Sequence, residues 1–360
     1  MAFTTIDDPT KYFHTQLYTG DGSTNNAITN DANAGDFKPD WLWIKSRSYQ
    51  DLHNVFDSSR GRTKRIFPNL TNAEGDSSPD NFLKSFDTDG FTTGNDAGMN
   101  TDGGTLVAWQ WKANGGTETN SQAESGSNIA CSVQANTTAG FSIITYTGTG
   151  GTGHTFLHGL GSAPAWFIIK RRNDTEDWLV YHHENTSDPA TDHLLLNTTD
   201  ATSDSDTRFD DTAPNGTEIA LGNNAVCNAD GSTYVCYAFK EVQGYSRFGN
   251  YIGNGTTDGG FVYTGFKPAW LMVKEIVSGG GWGMWDNKRM PFNTSAAIRL
   301  LANTNAADDT SNDNRIDFLS NGFKVRTSSG GFNQNATTYI YLAFAESPFV
   351  SSTGTPTTAR

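Results

Sequence analysis

Pro39-Asp40-Trp41-Leu42-Trp43-Ile44-Lys45 is the stretch that decides the fold, because the chain repeats its pattern twice. The later copies are Pro164-Ala165-Trp166-Phe167-Ile168-Ile169-Lys170 and Pro268-Ala269-Trp270-Leu271-Met272-Val273-Lys274. Proline fixes φ and has no N–H to donate, so it suits the first position of a strand. The pattern therefore predicts a short β-strand in each copy, with the final lysine in water.

Two further motifs keep step with this strand. The copies start 164 − 39 = 125 and 268 − 164 = 104 residues apart. Before each copy stands a Tyr-x-Gly-x-Gly motif, at 18–22, 146–150 and 251–255. After each copy stands an aromatic closing strand, at 105–111, 233–239 and 338–344. Three motifs in one order, three times, predict related units of domain size and not short solenoid repeats.

The rest of the chain is typical of an all-β protein. Short apolar runs alternate with turn signals such as Asp89-Gly90 and Asn321-Gly322, and no long stretch has a helical period. We therefore predict three tandem related antiparallel β-sandwich modules. The predicted boundaries are module 1 at 1–114, a linker at 115–135, module 2 at 136–242, module 3 at 243–349 and a tail at 350–360. We expect modules 2 and 3 to pack closely and module 1 to be offset by the linker.

Composition excludes several function classes. A net charge of −14 argues against nucleic-acid binding, which needs a basic face. The densest basic cluster, residues 60–65, is interpreted as a solvated loop. We expect no signal peptide and no membrane insertion, because the required apolar stretches do not occur. Three cysteines form no disulfide framework, and we interpret Cys131, Cys227 and Cys236 as small buried hydrophobic residues.

The sequence predicts no catalytic, cofactor-binding or metal-ligating residue, and hence no enzyme. Five histidines of module 2 are interpreted as surface or turn residues: His154, His158, His182, His183 and His193. The acidic segments 203–206 and 307–314 could offer oxygen ligands to calcium, but solvated loops are favoured. The glycine-rich stretch 147–153 is interpreted as a tight turn, because no Lys-Ser or Lys-Thr follows it to contact phosphate.

Exposed aromatic rings are the remaining candidates for ligand binding. Four tryptophans could stack on sugar rings: Trp43, Trp178, Trp282 and Trp285. Aromatic residues at repeated positions are better explained by packing, because the fold itself requires them. Trp282 and Trp285 follow a run of three glycines and look like loop residues. They are the weak candidates for a ligand-binding site.

Nearly the whole chain resembles structural proteins of tailed bacteriophages, especially marine phages that infect cyanobacteria and other planktonic bacteria. These proteins carry a recurring, uncharacterised β-rich domain. The matching stretches are Tyr12-Phe13-His14-Thr15-Gln16-Leu17-Tyr18-Thr19-Gly20-Asp21-Gly22, Phe37-Lys38-Pro39-Asp40-Trp41-Leu42-Trp43-Ile44-Lys45, Val107-Ala108-Trp109-Gln110-Trp111-Lys112-Ala113-Asn114-Gly115, Gly265-Phe266-Lys267-Pro268-Ala269-Trp270, Tyr341-Leu342-Ala343-Phe344-Ala345-Glu346-Ser347-Pro348 and Thr358-Ala359-Arg360. The resemblance implies a virion component and supplies no catalytic residues.

On this basis we expect a virion structural protein, assembled in the host cytoplasm, in a tail fibre or spike-type appendage that contacts the host surface. The alternative is a capsid decoration protein on the outside of the head. A surface-polysaccharide-degrading enzyme is less favoured. The expected partners are other virion proteins, further copies of the chain in a homotrimer and a host-surface glycan, with no nucleic acid.

Overall fold

The structure is a computed structural model that describes residues 3–31, 37–76, 81–116, 119–121, 129–293, 298–311 and 315–357. Its content is 41% strand and 6% helix, and the strands form several antiparallel sheets. The predicted all-β class is therefore confirmed. In the described parts of the chain, no helix is long and apolar enough to cross a membrane.

The range 1–114, which the sequence predicts as module 1, contains two main antiparallel sheets. Its strands are β1 (Phe13–Thr19), β2 (Asn26–Ile28), β3 (Trp41–Ser46), β4 (Asn54–Asp57), β5 (Lys64–Arg65), β6 (Gly75–Asp76), β7 (Leu83–Asp87), β8 (Gly90–Thr93) and β9 (Thr105–Trp111). A 3-10 turn (Pro9–Lys11) precedes them, and the short helix α1 (Ala97–Asn100) precedes β9. The sheets have the orders β1-β9-β3-β4 and β2-β8-β7, and β5 pairs with β6. Buried apolar side chains of both main sheets, such as Leu42 and Phe91, form a layer between them.

Module 2 contains one large sheet and one small sheet. Two strands of its large sheet, β10 (Thr119–Ser121) and β11 (Cys131–Asn136), lie almost wholly in the predicted linker at 115–135. The other strands are β12 (Phe141–Thr147), β13 (His154–Leu157), β14 (Trp166–Arg171), β15 (Trp178–His182), β16 (Asp192–Leu195), β17 (Ser203–Asp204), β18 (Glu218–Leu221) and β19 (Thr233–Phe239). The short helices are α2 (Asp206–Phe209) and α3 (Ala225–Asn228). The large sheet has the order β10-β11-β12-β19-β14-β15-β16-β17, and β13 pairs with β18.

Module 3 again contains two sheets. Its strands are β20 (Ser246–Ile252), β21 (Phe261–Tyr263), β22 (Phe266–Glu275), β23 (Gly283–Asp286), β24 (Leu300–Leu301), β25 (Ile316–Leu319), β26 (Gly322–Val325) and β27 (Thr338–Pro348), with the short helix α4 (Gly330–Asn333). The sheets have the orders β20-β27-β22-β23-β24 and β21-β26-β25. Val262 and Leu271 belong to the buried apolar layer between them.

The segments predicted as linker and tail are partly ordered. β11, most of which falls in the predicted linker, pairs with β12, and Cys131 and Val133 are buried. The linker prediction is therefore wrong for residues 131–135, because two apolar side chains give this polar stretch a buried face. In the predicted tail, the backbone N–H of Ser352 donates to Asp7 Oδ1 at 2.6 Å. Residues 117–118, 122–128 and 358–360 lie outside the described residues.

One arrangement of four strands occurs in all three ranges. It appears as β1-β9-β3-β4, as β12-β19-β14-β15 and as β20-β27-β22-β23. The repeated tryptophans also share a register. Each lies opposite an aromatic residue of the closing strand, in the pairs Trp41 with Trp111, Trp166 with Phe239 and Trp270 with Phe344. The three Pro-x-Trp copies thus occupy the same place in their sheets.

The Tyr-x-Gly-x-Gly motif leaves the end of a strand and contacts a short helix. Each motif tyrosine donates its hydroxyl to a carbonyl 81 residues later, in the pairs Tyr18 to Met99, Tyr146 to Cys227 and Tyr251 to Phe332. A Cβ on Gly20 would lie 2.2 Å from the carbonyl oxygen of Thr101, so only glycine fits there. The second motif glycines, Gly22, Gly150 and Gly255, have φ of 65°, 70° and 69°. The predicted turn at 147–153 is confirmed.

Aromatic side chains from all three ranges meet in one central core. The Trp41 ring of module 1 lies 4.6 Å from the Tyr237 ring of module 2. Trp111 lies 5.7 Å from Trp270 of module 3. The Trp166 ring lies 6.1 Å from that of Phe248. Module 1 is therefore not offset as predicted, because its inner sheet face is covered by modules 2 and 3.

Backbone hydrogen bonds join the three ranges into a closed ring. In each module, a backbone N–H in the segment after the fourth strand of the repeated arrangement is the donor. The acceptor is the carbonyl of the residue that follows the Pro-x-Trp strand of the next module. The three bonds are Glu74 N to Arg172 O (2.7 Å), Thr202 N to Ile276 O (3.0 Å) and Asp308 N to Arg47 O (2.9 Å). The first joins module 1 to 2, the second 2 to 3 and the third 3 back to 1.

This ring buries the lysines that end the Pro-x-Trp strands. Lys45, Lys170 and Lys274 each have 0% exposure, so the prediction that they lie in water is wrong. Lys170 Nζ donates to the carbonyl of Thr71 at 2.9 Å, and Lys274 Nζ donates to that of Thr199 at 3.3 Å. Burial lowers the pKa of each lysine to about 8.

These buried lysines predict a stability that rises between pH 7 and pH 9. Above pH 8 the unfolded chain holds more protons on these lysines than the folded protein, so raising the pH favours folding. One lysine contributes about 1 kcal/mol of this rise by pH 9, and deprotonation of unfolded cysteine thiols offsets part of it. In urea titrations at both pH values, Lys274→Met should show a smaller rise than wild type. Lys11→Met, at a residue with a side-chain exposure of 65%, is the control. An equal rise in all three proteins would contradict this assignment.

Candidate functional site

The tryptophans predicted as ligand-stacking residues are buried. Trp282 and Trp285 have 0% exposure, so neither presents a ring face to a ligand. The Trp282 indole N–H crosses to module 2 and donates to the carbonyl of Leu195 at 3.0 Å. Trp285 packs edge-to-face on Phe332 at 4.9 Å. Of the glycines before them, Gly279 is exposed, whereas the N–H of Gly280 donates to the Thr199 carbonyl of module 2 at 2.9 Å. The prediction of a ligand-binding role for Trp282 and Trp285 is therefore wrong.

The other two tryptophan candidates are buried as well. Trp43 and Trp178 also have 0% exposure. The Trp43 indole N–H donates to His53 Nδ1 at 2.8 Å, and the His53 Nε2 donates to Leu301 of module 3 at 3.0 Å. The Trp178 indole N–H donates to the carbonyl of Phe67 in module 1 at 2.9 Å. These rings tie the modules together.

Most of the histidines are also internal. His158, His182 and His193 are buried, so their interpretation as surface residues is wrong, whereas His154 and His183 are partly exposed. His182 Nε2 donates to the carbonyl of Tyr341 at 3.3 Å, and burial lowers the pKa of His182 to about 3.

In the described ranges, no group of three or more His, Cys, Asp or Glu side chains is placed to hold a metal ion. The three cysteines are free and buried, as predicted.

The basic cluster at 60–65 is not a solvated loop throughout. The Arg60 side chain has 0% exposure and pairs with Asp57 at 2.5 Å and with Glu74 at 2.8 Å. Its Nη2 donates to the Tyr237 hydroxyl of module 2 at 3.1 Å. A buried arginine with this many partners holds the junction between modules 1 and 2 together.

Module 3 has the same kind of arginine, and the acidic segment at 307–314 supplies its partner. Arg289 has 0% side-chain exposure and pairs with Asp286 at 2.6 Å and with Asp308 at 3.0 Å. Arg47 of module 1 pairs with Asp308 at 2.8 Å. The interpretation of this segment as a solvated loop is therefore wrong for Asp308. Residues 312–314 lie outside the described residues.

The candidate site is a cleft along the seam between modules 1 and 3. Two cavities share Asn287, Lys288 and Glu346 as lining residues, and we call them together the seam cleft. The inner cavity measures about 130 Å³ and is lined mainly by polar residues of β1 and of the segment after β23. The outer cavity measures about 480 Å³ and opens beside Phe292 and Phe318.

The inner cavity contains polar atoms that lack a protein partner. Thr15 is 3% exposed, and among the described residues nothing hydrogen-bonds its Oγ1 or the Oδ1 of Asn287. Buried polar groups are normally satisfied, and leaving one unsatisfied costs about 1–3 kcal/mol. His14 also lines this cavity, and burial lowers its pKa, although Asp31 partly opposes the shift. The inner cavity is therefore built for a ligand or water that offers hydrogen bonds.

The outer cavity is lined by an exposed aromatic ring, that of Phe292. The Phe292 side chain is 70% exposed, the largest exposure of any large hydrophobic residue described here. The neighbouring Asn293 side chain donates to the Phe318 carbonyl at 2.8 Å and accepts from the Phe318 N–H at 2.9 Å. These two bonds hold Asn293 against β25, and the preceding residue, Phe292, lines the outer cavity.

The equivalent positions at the other two junctions are filled. Asp286 lies opposite Trp270, and Asn287 is the next residue in the chain. Ser58 occupies the same place after the residue opposite Trp41. His183 occupies it after the residue opposite Trp166. His183 Nε2 donates to the carbonyl of Phe248 in module 3 at 2.6 Å. Ser58 accepts a hydrogen bond from the Gln134 side chain at 2.9 Å. Asn287 Oδ1 has no such bond within the described part of the chain, and Asn287 lines the seam cleft.

A second cleft lies beside the chain termini. It measures about 550 Å³ and has the exposed rings of Phe3 and Tyr263 on its rim. Its charged side chains already satisfy one another, since Arg247 pairs with Glu241 at 2.9 Å. Glu241 also accepts from the Phe248 N–H at 2.9 Å. The seam cleft, with its unsatisfied oxygens, is the better candidate.

Sequence reasoning did not single out Thr15, Asn287 or Phe292. A signal was nevertheless present, because residues of equal register differ: Ser58, His183 and Asn287 occupy one repeated place. Repetition identifies what the fold requires, and a departure from it can mark a site with another use.

A family model described as Domain of unknown function (DUF7483) matches residues 8–348. The match begins just before the 3-10 turn and ends with β27, so it includes all residues named at the seam cleft. No curated protein and no solved structure matches the chain.

Proposed function

The chain belongs to the DUF7483 family, and we propose that it is a bacteriophage virion structural protein in a tail fibre or spike-type appendage. In this role it contacts the host surface by binding, without catalysis. The resemblance of its repeated strands to structural proteins of marine tailed phages supports the virion assignment. The net charge of −14 fits a particle component that must not adhere to polyanions.

We also propose that the chain consists of three tandem related antiparallel β-sandwich modules, at 1–114, 136–242 and 243–349. The observation that carries this proposal is the four-strand arrangement that occurs three times, with one register for Trp41, Trp166 and Trp270. Hydrophobic clusters between the sheets of each range support the sandwich description. The ring of backbone bonds then makes one rigid body, which suits a component exposed outside the cell.

The proposed partners are other virion proteins, further copies of the chain and a host-surface glycan. Assembly takes place in the host cytoplasm, and the final location is the virion. Single sites on a surface rich in Thr, Ser and Asn bind weakly. A homotrimer would raise avidity by about 10²–10⁴ without any new contact.

A capsid decoration protein is the second candidate. Exposed apolar side chains on module 3 favour it, because such residues can dock on another protein surface. Ile252 is 67% exposed and Val277 is 63% exposed. In that case the surface around Ile252 and Val277 would contact the head shell.

Gold-labelled antibodies against the purified protein test the location on particles of the encoding phage. We expect labels on the tail and its appendages. Purified, fluorescently labelled protein should also coat host cells and leave empty heads unstained. Label on the heads, with binding to empty heads and none to cells, would replace the tail proposal with capsid decoration. Release of reducing sugar from host envelopes would contradict both.

A further inference from the structure

We propose that the seam cleft binds one neutral sugar residue of a surface glycan, with hydroxyl groups in the inner cavity and a ring face against Phe292. This inference rests on the proposed host-surface role for the source of the glycan. The site itself is defined by the residues that line it.

The inner cavity matches hydroxyl chemistry. Its volume of about 130 Å³ corresponds to about four water molecules in the liquid. Thr15 Oγ1 can donate and accept, and Asn287 Oδ1 can accept. A sugar hydroxyl both donates and accepts, so it reproduces the bonds of a displaced water molecule.

The charged groups around the seam cleft are paired, which favours a neutral ligand. Lys288 forms an ion pair with Asp31, and Lys267 pairs with Glu346 at 2.7 Å. An anionic or cationic ligand would have to break one of these pairs. The lowered pKa of His14 keeps that ring neutral near pH 7, so it adds no charge.

The outer cavity supplies the apolar half of the site. Small-molecule sites combine apolar and aromatic walls with a few polar groups that fix orientation. Phe292 offers its ring next to Asn293, which is bonded to β25, and Met290 and Leu319 line the same cavity. The C–H face of a pyranose ring would pack on Phe292 while its hydroxyls enter the inner cavity.

The test uses the whole chain and a panel of methyl glycosides of glucose, galactose, mannose, rhamnose and N-acetylglucosamine. Saturation-transfer NMR at millimolar sugar concentration reports binding. We expect transfer from aromatic protons to at least one glycoside. Phe292→Ala and Thr15→Val should each weaken that binding by about threefold to tenfold.

Thr15→Val separates a binding role from a structural one. Replacing an unsatisfied hydroxyl by a methyl group of similar shape should leave the melting temperature unchanged or raised. Tyr263→Ala removes an exposed aromatic ring of module 3 outside the seam cleft and is the matched control. The control should bind the glycoside as wild type does.

The outcomes separate this inference from the proposed function. If no glycoside shows transfer, or if both variants bind as wild type does, the seam cleft is not the glycan site. Labelled protein that still coats host cells would then leave the host-surface role standing. Glycoside binding at the seam cleft without any binding to cells would instead remove the host-surface role.

Discussion

Replacing Trp270 with alanine should lower the free energy of unfolding by about 3–5 kcal/mol, the range for truncating large buried aromatic residues. Trp270 is 1% exposed. Its ring lies 5.7 Å from that of Trp111 in module 1 and 5.9 Å from that of Phe344. The truncation would leave a cavity in the core that all three modules share. The loss should therefore affect the whole chain.

Chemical denaturation followed by tryptophan fluorescence measures this loss. Phe261→Ala is the matched control, because this ring of module 3 is 47% exposed. The control should change stability by no more than about 0.5 kcal/mol. An unchanged unfolding midpoint for Trp270→Ala would place the ring at the surface and return it to the candidates for ligand stacking.

Acidification from pH 7 to pH 4.5 should destabilise the protein by roughly 5 kcal/mol through two histidines alone. Burial lowers the pKa of His182 to about 3 and that of His193 to about 4. The unfolded chain protonates these rings near pH 6.5, whereas the folded protein keeps them neutral. The unfolded state therefore binds more protons, and stability falls as the pH drops below 6.5 toward the folded pKa values. Burial also lowers the pKa of His14, His53 and His158, which adds to the loss.

Guanidinium unfolding midpoints at pH 7, 6, 5 and 4.5 measure the acid effect. The decline should begin near pH 6.5, above the range in which most carboxylates titrate. His182→Gln keeps a donor for the Tyr341 carbonyl and should reduce the decline by about 2–3 kcal/mol. A midpoint that stays constant to pH 4.5 would contradict burial of these rings. The raised pKa of Asp40 works in the opposite direction and limits the total loss.

The sequence predicts those features that the fold repeats. The three Pro-x-Trp tryptophans are interpreted as packing residues because each copy of the fold needs them. The repeated glycines are interpreted as turn residues for the same reason. Their burial and φ values agree with that reasoning. Local patterns of apolar residues and turns were also sufficient for the all-β class.

Contacts between distant segments could not be predicted in this way. Lys170 stands at the polar end of a strand and is buried, where its Nζ donates to the carbonyl of Glu176 and also to that of Thr71, 99 residues earlier. Trp282 follows a glycine run and becomes internal because the Leu195 carbonyl accepts its N–H. No local signal carries such pairings. The seam cleft escaped prediction for the same reason, since Thr15 and Asn287, 272 residues apart in the chain, line one cavity only where modules 1 and 3 meet.

Differential scanning calorimetry of the intact chain tests most directly whether the three modules form one closed body. The shared aromatic core and the three junctions predict a single unfolding transition, with equal calorimetric and van't Hoff enthalpies. Trp270→Ala should shift that whole transition to lower temperature. Separate transitions, or a calorimetric enthalpy about threefold larger than the van't Hoff value, would show independent modules and contradict the closed ring.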